Sequence, residues 1–242
     1  MAAVLRTETG LVRSQNEDSA WFDDEHGIYA VADGMGGHLA GEVASAMAID
    51  AVKQMVFSGR NPGILALRDM MHAANRDILT HSGKNDACSG MGTTLSVLWR
   101  REKRAYIAHV GDSRIYRLRG DSLVQVTRDH SLVEEMVEAG LISREEARNH
   151  PRRNIITRAL GTEGDNYPDL LVEDILAGDC WLLCSDGLTG MLEDGEIQEV
   201  LSSGHDLEEK ADTLMRMALR AGGRDNITLV LFSAEDEAWN QD

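Results

Sequence analysis

The chain has 242 residues, 43% hydrophobic and 27% charged, which is the balance of a globular protein long enough to bury its own core. Its 41 acidic residues against 24 basic ones give a formal net charge of −17, so phosphate backbones and anionic bilayers are repelled and neither nucleic acid nor a membrane is an expected partner. Three cysteines without a CxxC pair, no basic-then-apolar leader and no apolar run near ~18 residues speak against a disulfide framework, a zinc site, secretion and a membrane span. The expectation is a cytoplasmic protein with a single domain over 1–242, since three prolines and no Gly/Ser-rich tract leave nowhere for a linker.

In chain order, Gly27–Ala32 is an apolar run ending at Asp33-Gly34 and predicts a buried strand. Gly41–Val56 predicts a helix with Val43, Met47, Ala51 and Met55 on its apolar face, stopped by Gly59. Asn61-Pro62 predicts the cap and first turn of a second helix, whose face is Ile64, Leu67, Met71, Ala74 and Ile78. Thr93–Trp99, Ala105–Val110, Arg114–Leu118 and Leu123–Val126 are rich in β-formers, with Gly120-Asp121 as the hairpin turn between the last two. Successive short strands with tight turns point to antiparallel sheet. Residues 131–160 break the pattern: a short helix over Ser131–Ala139, a capping-box start at Ser143 with Glu146, and then His150-Pro151-Arg152-Arg153 suggest a surface flap. Cys180–Cys184 is a strand, helices follow near Gly195–Leu201 and Leu207–Arg220, Ile227–Phe232 is a final strand, and 233–242 is a polar tail.

One pattern recurs along this order. Strand-like runs meet an aspartate beside glycine or a small polar residue at Asp33, Asp112, Asp186 and Asp225. If antiparallel neighbours set those ends on one edge, the carboxylates converge. Two unit charges ~4 Å apart cost about 4 kcal/mol at an effective dielectric of ~20, so such a group either protonates or is neutralised by a cation. Oxygen-only ligands favour Mg²⁺, Mn²⁺ or Ca²⁺, and a glycine carbonyl such as that of Gly34 can approach an ion closely. Upstream, Arg13 stands four residues before the Glu17-Asp18 pair, where a guanidinium could grip a phosphate and the acids could hold ion-bound water.

Taken together, RxxNED at Arg13–Asp18, DGMGGH at Asp33–His38, MGTT at Met91–Thr94, VGDSR at Val110–Arg114, HPRRNIITRALG at His150–Gly161, SDGL at Ser185–Leu188 and RDNIT at Arg224–Thr228 resemble the ordered motifs of the metal-dependent protein phosphatases of 2C type. The resemblance runs from about Arg13 to Phe232 and is closest to the bacterial single-domain branch. It implies an α+β fold, a four-layer α-β-β-α sandwich of two antiparallel sheets flanked by helix pairs. It also implies removal of phosphate from phosphoserine and phosphothreonine in proteins, with two or three Mn²⁺ or Mg²⁺ ions, in opposition to a Ser/Thr kinase.

By position, Asp33 resembles the carboxylate bridging two metals, Gly34 the carbonyl ligand, and Asp186 and Asp225 further ligands. Asp112 matches the acid of a third ion, Glu17 and Asp18 match acids behind the ligands, and Arg13 matches the phosphate-binding arginine. The implied mechanism is in-line attack by water that the ions activate, without a phosphoenzyme. One departure stands out: where many eukaryotic members carry a histidine after the DG pair, this chain has Met35, which has no proton to donate; His38 lies nearby but does not align. Ser113 and Ser185 read as turn residues that hydrogen-bond, since no GxSxG elbow is present, and Cys180 and Cys184 read as core. The alternatives are a non-catalytic phosphoprotein-binding regulator of the same fold, and a small-molecule phosphomonoesterase.

Overall fold

A strand such as Ile28-Tyr29-Ala30-Val31-Ala32 has no polar face to offer water, so both of its faces must be covered. The computed structural model, which describes residues 3–36, 40–162, 164 and 166–234, meets that demand by stacking two sheets and flanking each with helices. The strands are β1 Ala3–Glu8, β2 Asp18–Asp23, β3 Ile28–Met35, β4 Gly92–Thr93, β5 Leu95–Arg101, β6 Arg104–Val110, β7 Arg114–Arg119, β8 Ser122–Gln125, β9 Asp169–Asp174, β10 Cys180–Cys184 and β11 Ile227–Ser233. The helices are α1 Ala40–Phe57, α2 Ile64–Ser82, α3 Leu132–Glu138, α4 Arg144–Arg148, α5 Asp186–Thr189, α6 Asp194–Ser202 and α7 Leu207–Arg220. One sheet has the order β1-β11-β10-β7-β8, the other β2-β3-β5-β6-β9 with β4 paired to the end of β3; every pairing is antiparallel.

Alternation along the strands sorts side chains into three apolar layers. Tyr29, Val31, Leu98, Ile107, Trp181, Leu183, Val230 and Phe232 fill the space between the sheets. Tyr29 stacks on Phe232 with ring centroids 3.8 Å apart. Ile28, Ala30 and Ala32, one position out of phase, face α1 and α2; Leu182, Cys184, Leu229 and Leu231 face α6 and α7. Each large side chain removed from water contributes about 1.5–3 kcal/mol, which makes the doubly covered strands β3, β10 and β11 the stable frame of the molecule. Cys184 belongs to this frame: burial pushes its thiol up to about 12.

The α-β-β-α sandwich and the helix pairs are as the sequence suggests, with four differences. Helix α1 buries Ala44, Ala48 and Val52, while Val43, Met47 and Ala51 are only partly covered, because close packing on a sheet favours small residues. Helix α2 starts at Ile64, with Gly63 and not Asn61 in the cap position. Strands β1, β2 and β9 carry no continuous apolar run and were not legible in sequence. Strand β3 runs on through Asp33 and Gly34 to Met35, so Asp33 lies within the strand instead of following it. His38 and residues 235–242 of the polar tail lie outside the described residues.

Candidate active site

Topology alone brings the four aspartates together. Strands β3 and β6 both pair antiparallel with β5 and therefore end on the same edge, placing Asp33-Gly34 and the β6–β7 turn Gly111-Asp112-Ser113 side by side. In the other sheet, β10 runs antiparallel to β7 and β11, so its end at Cys184, the start of β7 and the start of β11 share that edge. Asp186 opens α5 immediately beyond β10, and Asp225 precedes β11. Pairing of β2 with β3 sets Asp18 directly opposite Asp33.

Backbone contacts hold these residues independently of their carboxylates. The Asp33 amide donates to Thr94 Oγ1 (2.9 Å), and its carbonyl accepts from the Thr94 amide (2.9 Å) and Thr93 Oγ1 (2.9 Å). The Gly34 amide donates to the Glu17 carbonyl at 3.1 Å. A Cβ on Gly34 would lie 2.1 Å from the Gly41 carbonyl oxygen and 2.5 Å from that of Glu17, so only glycine fits between α1 and the Glu17 loop. Ser185, read from sequence as a hydrogen-bonding turn residue, donates to Asp18 Oδ2 (2.7 Å) and accepts from the Thr228 amide (3.0 Å).

The electrostatics are those of crowded acids. Burial, then the charges of Asp18, Asp186, Asp112 and Asp225, raise the Asp33 carboxyl well above its ordinary range. Burial followed by Asp186 and Asp129 does the same to Asp112. Asp186 is pushed up to about 6, first by burial and then by Asp225. Asp18 is pushed up to about 7, chiefly by burial and against the hydrogen bonds from Thr228 and Ser185. Burial raises Glu17 as well. Arg13 answers part of this charge, its guanidinium donating to Asp225 Oδ2 at 2.7 Å.

Asn226 organises the loop that presents Arg13. Its Oδ1 accepts from the Glu17 amide (2.8 Å), and its Nδ2 donates to the carbonyls of Thr9 (2.9 Å) and Gln15 (2.8 Å). One buried amide thus uses both donors to tie the 9–17 loop to the start of β11. Asn226→Asp keeps the shape but turns a carboxylate toward two carbonyl oxygens. It should cost about 1–3 kcal/mol of stability and raise KM for a phosphoester roughly ten-fold through a displaced Arg13, measurable by thermal unfolding and steady-state kinetics.

Residues 131–160 leave the sandwich through a narrow neck and return to it. Ser131 bridges Ile156, the Thr157 amide donates to the His130 carbonyl (2.8 Å), and Leu160 bridges Thr93 beside the Asp33 backbone. The capping box read from sequence between Ser143 and Glu146 is present at α4, and Ser131, read as the first residue of a helix, is the N-cap of α3. Between this segment and the sandwich edge lies a cleft of about 740 Å³. Asp112, Asp186, Asp225 and Arg13 line one side; Val133, Val137, Arg144 and Arg148 line the other. Sequence reasoning missed Asp129, which also lines the cleft and holds Arg114 through contacts of 2.7 and 2.9 Å. Neither Asp129 nor the Asn226 network has a local signal, because both depend on pairing between distant segments.

The donor set suits hard divalent cations. Every candidate ligand is an oxygen, the Gly34 cradle brings a carbonyl close, and the buried oxygens Asp18 Oδ1 and Asp112 Oδ1 have no hydrogen-bond partner. Among the described residues no three His, Cys, Asp or Glu side chains close into a finished ligand cluster. The charges of Asp18, Asp186, Asp112 and Asp225 all act on Asp33, and Asp225 is turned to Arg13.

The chain belongs to the Protein phosphatase 2C family, whose model matches residues 12–229. The chain is 43% identical over 239 residues to the serine/threonine phosphatase stp of Listeria innocua, covering 96% of this chain and 95% of that protein. It is 39% identical over 244 residues to the protein phosphatase PhpP of Streptococcus pneumoniae, covering 98% and 99% respectively. The crystal structure of the Mycobacterium tuberculosis serine/threonine phosphatase PstP/Ppp superimposes with a TM-score of 0.90 at 40% identity, covering 97% of this chain and 98% of that one. A PstP catalytic domain described in complex with two manganese ions gives a TM-score of 0.89 at 38% identity, covering 97% and 98%.

Proposed function

We propose that the protein hydrolyses phosphoserine and phosphothreonine in phosphoproteins, with Mn²⁺ or Mg²⁺ as cofactor, and so opposes a Ser/Thr protein kinase. The observation that carries this reading is that Asp112, Asp186 and Asp225 line one cleft with Arg13, and that Asp33 lies close enough to all three for their charges to raise its carboxyl. Asp33, Asp186, Asp225 and the Gly34 carbonyl would hold two ions, Asp112 would help hold a third, and Glu17 and Asp18 would orient water around them. Ions bound there supply Lewis-acid activation of water and neutralise phosphoryl oxygens.

The chain's own residues do the positioning. Arg13, held to Asp225 at 2.7 Å, offers its fork to the phosphoryl oxygens and complements charge spread over the transferring group. Ser185 fixes Asp18, and Thr94 fixes the Asp33 backbone, so the acid array is pre-set before substrate enters. Met35 has no proton to give, so the leaving alkoxide takes its proton from water in the cleft. A single domain spanning 1–242, with residues 131–160 as its substrate-facing flap, is part of this proposal, as is a cytoplasmic setting. No helix among the described residues is long and apolar enough to cross a membrane.

Phosphate release from a phosphothreonine peptide with Mn²⁺, compared with excess EDTA, tests the reading. Turnover with the metal and none with the chelator is the expected result. Peptide binding without turnover under either condition would contradict it and favour a binding module.

A further inference from the structure

Among the described residues, eight acids and six arginines line the cleft, more guanidinium groups than phosphate binding by Arg13 alone requires. The arginines are Arg13, Arg114, Arg144, Arg148, Arg153 and Arg224. Four already face an acid. Arg13 meets Asp225 at 2.7 Å, Arg114 meets Asp129 at 2.7 Å, Arg144 meets Glu134 at 3.2 Å and Arg148 meets Glu193 at 3.9 Å. Arg153 donates only to the Arg148 carbonyl (3.0 Å), and neither it nor Arg224 has an acidic partner among the described residues. They come from opposite walls. Arg153 follows α4 on the flap, and Arg224 adjoins Asp225 on the sandwich edge.

The setting sharpens the contrast. The chain as a whole carries a net charge of −17, yet residues 141–160 hold Arg144, Arg148, Arg152, Arg153 and Arg158 against only Glu145 and Glu146. An acidic substrate is repelled by the net charge of this surface, and at the cleft it meets two guanidinium groups without an acidic partner among the described residues, Arg153 and Arg224. A guanidinium fork fits carboxylate and phosphate alike.

We infer that Arg153 and Arg224 form an anion subsite that selects phosphoproteins with a second acidic group, carboxylate or phosphoryl, close to the phosphorylated residue. The inference rests on the phosphatase reading and adds the substrate class. Arg224 is exposed and Arg153 half-buried, so the selection is moderate, about ten-fold for the two together, and weakens as salt shortens the screening length.

The test compares kcat/KM for matched phosphothreonine peptides flanked by Glu, by Gln or by a hydrolysis-resistant phosphonate side chain, in the wild type and in the double variant Arg153→Gln/Arg224→Gln. The wild type should prefer the Glu peptide, the phosphonate peptide or both over the Gln peptide by about ten-fold, and which of the two it prefers identifies the anion. The double variant should show less than about a two-fold difference. A flat ratio in the wild type, or an undiminished one in the variant, overturns the inference. Wild-type turnover of a small aryl phosphate with Mn²⁺ is measured alongside. If neither that ester nor any peptide is hydrolysed, the phosphatase reading fails and takes this inference with it; turnover with a flat ratio removes the inference alone.

Discussion

Asp33→Asn should reduce phosphate release by roughly a thousand-fold or more while leaving the fold intact, because a carboxylate that would hold the divalent cations is lost, and with it about 4 kcal/mol of transition-state stabilisation. The fold does not depend on that charge. The Asp33 backbone is fixed by Thr93 and Thr94, and its side chain sits among Asp18, Asp112, Asp186 and Asp225, which repel it. Removing one buried negative charge from such a set relieves repulsion, so in EDTA the variant should melt at or above the wild-type temperature. Steady-state phosphate release and thermal unfolding in EDTA check both halves. Activity within ten-fold of wild type would show that the carboxylate is not part of the machinery.

Gly34→Ala and Gly187→Ala should each destabilise the protein by about 3 kcal/mol or more and abolish activity through misplaced backbone. An alanine Cβ at Gly187 would stand 1.9 Å from the Asn226 carbonyl oxygen, and one at Gly34 would stand 2.1 Å from that of Gly41. The obstructing atoms are backbone, so relief requires shifting the start of β11, or the start of α1 against the Glu17 loop. Gly195 in α6 provides the contrast: a Cβ there meets nothing within 4 Å. Gly195→Ala should therefore gain about 0.5–1 kcal/mol from helix propensity alone. Thermal unfolding of the three variants separates steric exclusion from a general intolerance of glycine replacement.

The parts of this fold that sequence revealed are those whose burial is two-sided or whose ends are capped. Strands β3, β10 and β11 read as apolar runs because both faces are covered, and α7 read with correct bounds because Asp206 caps a strongly amphipathic stretch. Strands β2 and β9 stayed hidden because acids stand at both their ends and no residue is fully buried. The face of α1 was legible only in part: Met55 is buried as expected, but the sheet admits Ala44 and Ala48 more closely than Val43, Met47 and Ala51, which pack at the margin of the core. At the site, the aspartates were legible because each lies at or near a strand end beside a small residue. Asn226, Thr94 and Asp129 were not, since their roles lie in contacts with segments far away in the chain.

The central claim is that acids distant in sequence form one site for divalent cations. Calorimetric titration of the wild type and Asp33→Asn with Mn²⁺ tests it most directly. The account predicts at least two ions bound per wild-type chain and loss of that binding in the variant. Equal manganese binding by both proteins, or none by the wild type, would contradict it.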